Sequence, residues 1–169
     1  MLRIAHRSGP VRYPGQTIVS ARQAMEDGAD FVEIDVRFTK DGMLAISHDD
    51  HAGYVFGVNK NISEMTGQEF LTMRHKDAPA YPSHTLADYM RSSISQLLLH
   101  VKQGGERVYD IMDEIENYGY TDKVVMGVCD AREARMIKTR NERMRVLGFI
   151  DENETGYIND FASAGADYI

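Results

Sequence analysis

The chain of 169 residues holds a single cysteine, Cys129, so no disulfide can form within it. That excludes a fold stapled by cross-links and gives no sign of a secreted framework; the lone thiol reads as a core residue. Long hydrophobic runs are also missing. None approaches transmembrane length, and Arg3, His6 and Arg7 interrupt at once the apolar stretch that a signal peptide needs. The expectation is a soluble, cytoplasmic protein without stable membrane insertion. Positive charge is scarce: 19 Lys and Arg stand against 26 Asp and Glu, a net charge of -7, and no basic run is present. This argues against nucleic acid as a partner. An anionic ligand on such a chain needs a locally cationic site or a bound cation. With no repeat, low-complexity tract or linker, and 43% hydrophobic residues, the chain reads as one domain, 1–169, able to bury a real core.

Strand and helix patterns alternate from the start. Leu2 to Ala5 reads as a strand, and Thr17 as the N-cap of a helix whose apolar side carries Ile18, Ala21 and Met25 and which Gly28 stops. Phe31 to Phe38 is a second strand; Lys40-Asp41-Gly42 is a tight turn, and Met43 to Ser47 a third strand. Residues 50–83 have weak periodicity and read as an excursion with one short helix. Thr85 and Asp88 resemble a capping box before a helix carrying Leu86, Tyr89 and Met90. Beyond it come a strand at Gln96 to Val101, a helix with Val108, Ile111, Met112 and Ile115, and a strand at Lys123 to Cys129. A helix capped by Asp130 runs to Arg140, a strand spans Arg145 to Ile150, a helix spans 156–164, and a last strand begins at Ala166. Such alternation implies an α/β fold with a parallel sheet under helices, either a (β/α) barrel or a doubly wound sheet.

Ionisable residues stand where strands should be apolar. In Phe31 to Phe38, Phe31, Glu33, Asp35 and Arg37 share one face, and Val32, Ile34, Val36 and Phe38 the other. Further polar residues close successive strands: His6-Arg7 after the first, His48-Asp49 after the third, His100 and Lys102 at the fourth. Each alone has an ordinary reading, a solvated strand face or a hydrogen-bonded histidine. Together they mark the carboxyl ends of four strands, which is where a (β/α) barrel assembles its active site. The barrel is therefore the favoured architecture.

These residues resemble the glycerophosphodiester phosphodiesterase family. The resemblance is carried by Ile4-Ala5-His6-Arg7, Pro14-Gly15-Gln16-Thr17, Gly28-Ala29-Asp30, Glu33-Ile34-Asp35-Val36, Thr39-Lys40-Asp41-Gly42 and His48-Asp49, and less closely by Pro82 to Tyr89 and His100-Val101-Lys102. It implies a TIM-type (β/α) barrel that hydrolyses small-molecule glycerophosphodiesters to glycerol 3-phosphate and an alcohol. Glu33 and Asp35 would hold a divalent cation, commonly Mg²⁺ or Ca²⁺; His6 and His48 would act as general acid and base; Arg7 and Lys102 would contact the phosphate. Carboxylates suit hard cations, and imidazoles suit proton transfer near neutral pH.

Three positions depart from the family pattern. His100 stands at the third acidic ligand, Gly15-Gln16 replace Glu-Asn, and Ser8 precedes the glycine. A neutral His100 still ligates metal but favours softer ions. Seven strands in 169 residues fall short of the roughly 200–250 residues of a full barrel, so a barrel incomplete at the C-terminus is expected. The alternatives are a partner, such as a second copy in a homo-oligomer, that covers the open edge, and an unusually reduced barrel. Two other functions fit the same residues: a lysophospholipid or other phosphodiesterase with Tyr54, Val55, Phe56 and Tyr81 shaping its pocket, and a noncatalytic phosphate- or metal-binding relative.

Overall fold

The chain folds as two units, Met1–Leu97 and Leu98–Ile169, and the computed structural model describes residues 1–150 and 157–169. In the first unit, β1 (Ile4–Ala5) is followed by α1 (Ile18–Glu26) and then β2 (Phe31–Phe38). The Thr17 side chain caps α1 by accepting from the Ser20 N–H at 3.3 Å. β1 and β2 are parallel, with Ile4 opposite Phe31 and Ala5 opposite Val32. Val32, Ile34, Val36 and Phe38 are fully buried, as their shared face requires.

The third strand departs from the expected parallel order. β3 (Leu44–Ile46) pairs antiparallel with β2, Val36 opposite Ile46 and Phe38 opposite Leu44. A connection as short as Thr39 to Met43 closes a hairpin and cannot make the crossover that parallel strands need. The Thr39 N–H donates to the Met43 carbonyl at 3.0 Å, and Gly42 takes φ +91°, a conformation cheap only for glycine. The carboxyl end of β3 therefore runs back along β2, and the Ser47 N–H donates to the Asp35 carbonyl at 3.0 Å.

The excursion is more ordered than its sequence suggests. It holds α2 (Gly53–Phe56), α3 (Gly67–Leu71) and a hairpin of β4 (Arg74–His75) and β5 (Ala78–Pro82). Ala52, Phe56, Ile62, Met65, Phe70 and Met73 bury a small core against Ala45. Helices of four and five residues leave no periodicity to read. The Thr66–Glu69 capping box was a usable signal: each side chain meets the other residue's N–H, at 3.2 and 2.7 Å. The expected box before α4 (Leu86–Arg91) is present too, Asp88 N–H to Thr85 Oγ1 at 3.2 Å and Thr85 N–H to Asp88 Oδ2 at 2.9 Å.

In the second unit, β6 (Leu97–Val101), α5 (Val108–Asn117), β7 (Val124–Val128), α6 (Ala131–Arg140), β8 (Arg145–Gly148) and α7 (Tyr157–Ser163) alternate as expected. The start of the expected helix at 156 lies outside the described residues. β6, β7 and β8 lie side by side, β7 and β8 parallel in register Val125–Arg145 to Val128–Gly148. Val108, Ile111, Met112 and Ile115 form the buried stripe of α5. Gly127 has to be glycine: a Cβ there would lie 3.0 Å from the Leu99 carbonyl and closer still to the Phe149 ring. At the expected last strand the structure has an isolated parallel bridge, Tyr168 to Leu147.

Cys129 corrects the expected core thiol. β7 ends at Val128, so Cys129 falls one residue past the strand, beside the cap residue Asp130, and is exposed. Among the described residues no helix is long and apolar enough to cross a membrane.

Candidate functional site

The turn that leaves β1 is strained. His6–Ser8 form one short 3₁₀ turn in which Arg7 takes φ 50°, ψ 43° and Ser8 φ 64°. Gln16 follows at φ 60°, so three of the four described non-glycine residues in this region gather here. Such conformations cost on the order of 1–3 kcal/mol each and persist where the surroundings over-determine them. The surroundings do so. The Arg7 carbonyl accepts from the Gln16 N–H at 3.0 Å, the Ser8 carbonyl from Ser20 Oγ at 2.7 Å, and Ser8 Oγ meets the Tyr89 hydroxyl at 2.9 Å. Tyr89 is fully buried, and that burial pushes its hydroxyl far above the ordinary range. Tyr89→Phe removes one partner of a buried pair and is expected to destabilise the fold by about 1–2 kcal/mol. Thermal unfolding should register a fall of roughly 2–8 °C; an unchanged midpoint would show that the turn does not depend on this contact.

The strained turn grips the two carboxylates of β2. Glu33 is 3% exposed and Asp35 0%. The Arg7 backbone N–H donates to Glu33 Oε2 at 2.7 Å. The Gln16 side chain meets Asp35 twice: its Nε2 donates to Oδ2 at 2.5 Å, and its Oε1 accepts from the Asp35 N–H at 3.3 Å. These donors are neutral amides. Two buried carboxylates on one strand face are held in place by such contacts, and buried charges of this kind are paired or coordinate metal. The donor set is hard oxygen, suited to Mg²⁺ or Ca²⁺. Arg37, next on that face, turns its guanidinium to the His48 carbonyl, with Nε at 2.9 Å and Nη2 at 2.7 Å.

His48 owes its position to the hairpin. Because β3 runs back along β2, His48 arrives level with the Glu33–Asp35 segment instead of beyond Phe38. Its Nδ1 lies 2.8 Å from Asp49 Oδ1. His48 and Asp49 line a cleft of about 370 Å³ together with Arg7 and Gln16. Tyr54, Val55 and Phe56 line it from α2, whereas Tyr81 packs instead against Tyr13 with ring centroids 6.2 Å apart. His6 is exposed and is not among the lining residues. The first unit thus brings Arg7 and His48 to one cleft, with Glu33 and Asp35 anchored by Arg7 and Gln16 of its wall.

His100 and Lys102 belong to the second unit. The His100 ring stacks on Phe149, centroids 4.2 Å apart, and its Nδ1 accepts from Lys102 Nζ at 3.0 Å. Cys129 Sγ lies 3.8 Å from Nε2 of the same ring.

Gln16, Asp49, Arg37, Ser20 and Tyr89 were not singled out as site residues by sequence. Their part is to hold others, through contacts between residues up to 81 positions apart. Asp49 next to His48, Arg37 on the charged face of β2 and Gln16 in the Pro14–Thr17 motif carry local signals; Ser20 and Tyr89 carry none for this role.

The chain matches the model of the glycerophosphoryl diester phosphodiesterase family over residues 6–168. It is 35% identical over 65 residues to a glycerophosphodiester phosphodiesterase of Bacillus altitudinis, covering 38% of this chain and 26% of that protein. It is 36% identical over 62 residues to a human lysophospholipase D, covering 37% and 20%. These matches span about a quarter or less of the relatives' length. Among solved structures, a phosphodiesterase of Oleispira antarctica in complex with the product sn-glycerol 3-phosphate superposes with TM-score 0.86 at 18% identity, covering 98% of this chain and 72% of that one. The fold is that of the TIM-type barrels, the architecture favoured by the polar residues at the strand ends, and not the doubly wound sheet that alternation alone left open.

Proposed function

Since the chain belongs to the glycerophosphoryl diester phosphodiesterase family, we propose that it hydrolyses glycerophosphodiesters to glycerol 3-phosphate and an alcohol, with a divalent cation. The observation that carries this reading is the strained Arg7 turn clasping Glu33 and Asp35 beside the cleft that holds His48. Glu33, Asp35 and His100 are the proposed metal ligands. A cation bound there would neutralise nonbridging phosphate oxygens as charge develops. The imidazole nitrogen of His100 shifts the preference toward softer divalent ions than an all-carboxylate set would.

The remaining roles fall to the chain's own side chains. Arg7 and Lys102 bind the phosphate. For Arg7 the support is a buried Nε that makes no hydrogen bond among the described residues, a donor suited to an anionic oxygen. His48 and His6 move protons on opposite sides of the phosphorus, one activating the nucleophile and one protonating the departing alkoxide. Asp49 accepts from His48 Nδ1, which leaves Nε2 as the proton-transfer atom. Purified protein with added Mg²⁺, Ca²⁺ or Mn²⁺ is expected to release sn-glycerol 3-phosphate from glycerophosphodiesters and p-nitrophenol from bis(p-nitrophenyl) phosphate. Ligand binding by calorimetry without turnover under any of these metals would make it a noncatalytic relative.

A second reading keeps the site and changes the substrate. Tyr54, Val55 and Phe56 give the cleft an apolar side, and the human relative named above is a lysophospholipase D. Turnover of acyl-bearing lysophospholipid above that of the water-soluble diester would favour it.

A further inference from the structure

The cleft has a far wall, built by the excursion, and that wall carries a cation. Lys76 sits at the tip of the β4–β5 hairpin and lines the cleft with Tyr54. Its backbone is fixed to α2, because the Lys76 N–H donates to the Val55 carbonyl at 2.9 Å. Its ammonium lies 5.4 Å from the centroid of the Tyr54 ring, which is 75% exposed. A quaternary ammonium group is normally received by an aromatic face of this kind. Here a cation of the protein's own already engages that ring.

The other ionisable groups of the lining do not reverse the balance. His75 is held neutral over a wider range because burial lowers its pKa, and its ring packs on Phe56 with centroids 5.4 Å apart. Asp49 is engaged by His48, and Arg7 adds a second positive charge. Asp77, next to Lys76, is the one further carboxylate of the lining and partly offsets it.

We infer that Lys76, posed over Tyr54, is a specificity residue of the leaving-group subsite, which takes an uncharged, hydroxyl- or carbon-rich alcohol in preference to a quaternary ammonium alcohol. The inference rests on the phosphodiesterase reading for the identity of the bound ester. The repulsion of two unit charges about 5 Å apart in water is worth about fourfold in affinity, which Asp77 reduces.

Two isosteric esters, one cationic and one neutral, test it, with the change in their ratio on Lys76→Gln isolating the charge: glycerophosphocholine and its 3,3-dimethylbutyl analogue, in which carbon replaces the nitrogen. Calorimetric binding and the KM of hydrolysis are measured for both, with wild type, Lys76→Gln and Asp77→Asn. The wild type is expected to bind the isostere about two- to threefold more tightly, Lys76→Gln to narrow the ratio, and Asp77→Asn to widen it toward about fourfold. A wild type that binds the choline ester as well or better, or a ratio that Lys76→Gln leaves unchanged, overturns the inference. Binding reads the preference without turnover, so an absence of hydrolysis with the preference intact sinks the phosphodiesterase reading alone.

Discussion

His48→Ala is expected to lower hydrolysis of an alkyl phosphodiester by about 10²–10⁴-fold, the usual share of a positioned acid or base. The expectation rests on where the hairpin delivers the ring: into the cleft that Arg7 lines, with Nδ1 tied to Asp49 and the backbone carbonyl held by Arg37. A ring so fixed contributes through geometry as much as through basicity. His6→Ala is expected to cost a comparable factor if the two histidines divide the proton transfers. Leaving-group dependence separates their roles. p-Nitrophenolate departs without a proton, so the variant lacking the general acid should lose far less on bis(p-nitrophenyl) phosphate than on a glycerol ester. The variant lacking the base should lose equally on both. Unchanged rates for His48→Ala on both esters would remove this residue from the mechanism. Equal losses for both variants on both esters would mean that neither acts as the acid.

How much of this was legible in the sequence depends on the range of the contacts. β2 was readable residue by residue, because alternation in Phe31–Phe38 is a local, period-two signal and its charged members broke it visibly. The helix caps at Thr17, Thr85 and Asp130 were readable for the same reason, each spanning two or three residues. The turn before β3 is legible, whereas its antiparallel direction follows only from the length of the connection, since Thr39 to Met43 is too short for the crossover a parallel strand needs. The same pairing brings His48 back along β2. Gln16 stands out in sequence as a departure from the family pattern, and in the structure it holds Asp35. The tie between Ser8 and Tyr89 spans 81 positions and has no signature in either neighbourhood. The elements of the excursion are too short to show a period, and its cleft-facing Lys76 and His75 have no local signature.

Asp35→Asn is expected to separate two meanings of a buried carboxylate. If Asp35 holds a divalent cation, metal at about 100 times its dissociation constant stabilises the wild type by about 2.7 kcal/mol, which for a chain of this length raises the unfolding midpoint by roughly 5–10 °C. The variant should lose most of that rise, and its hydrolysis with it. In the metal-free protein the substitution is expected to cost little. The Gln16 Nε2 that meets Oδ2 can equally donate to the amide oxygen of Asn, and the change removes a charge that is 0% exposed. A purely structural role makes the opposite demand: neutralising one member of a buried ion pair strands its partner, lowers metal-free stability by about 3–5 kcal/mol, and leaves no metal-dependent midpoint shift to lose. The two columns of data, midpoint with and without metal for wild type and Asp35→Asn, therefore decide the role of the carboxylate without reference to activity. Glu33→Gln should follow the same pattern, since its anchoring donor is the Arg7 backbone N–H, which no side-chain substitution removes.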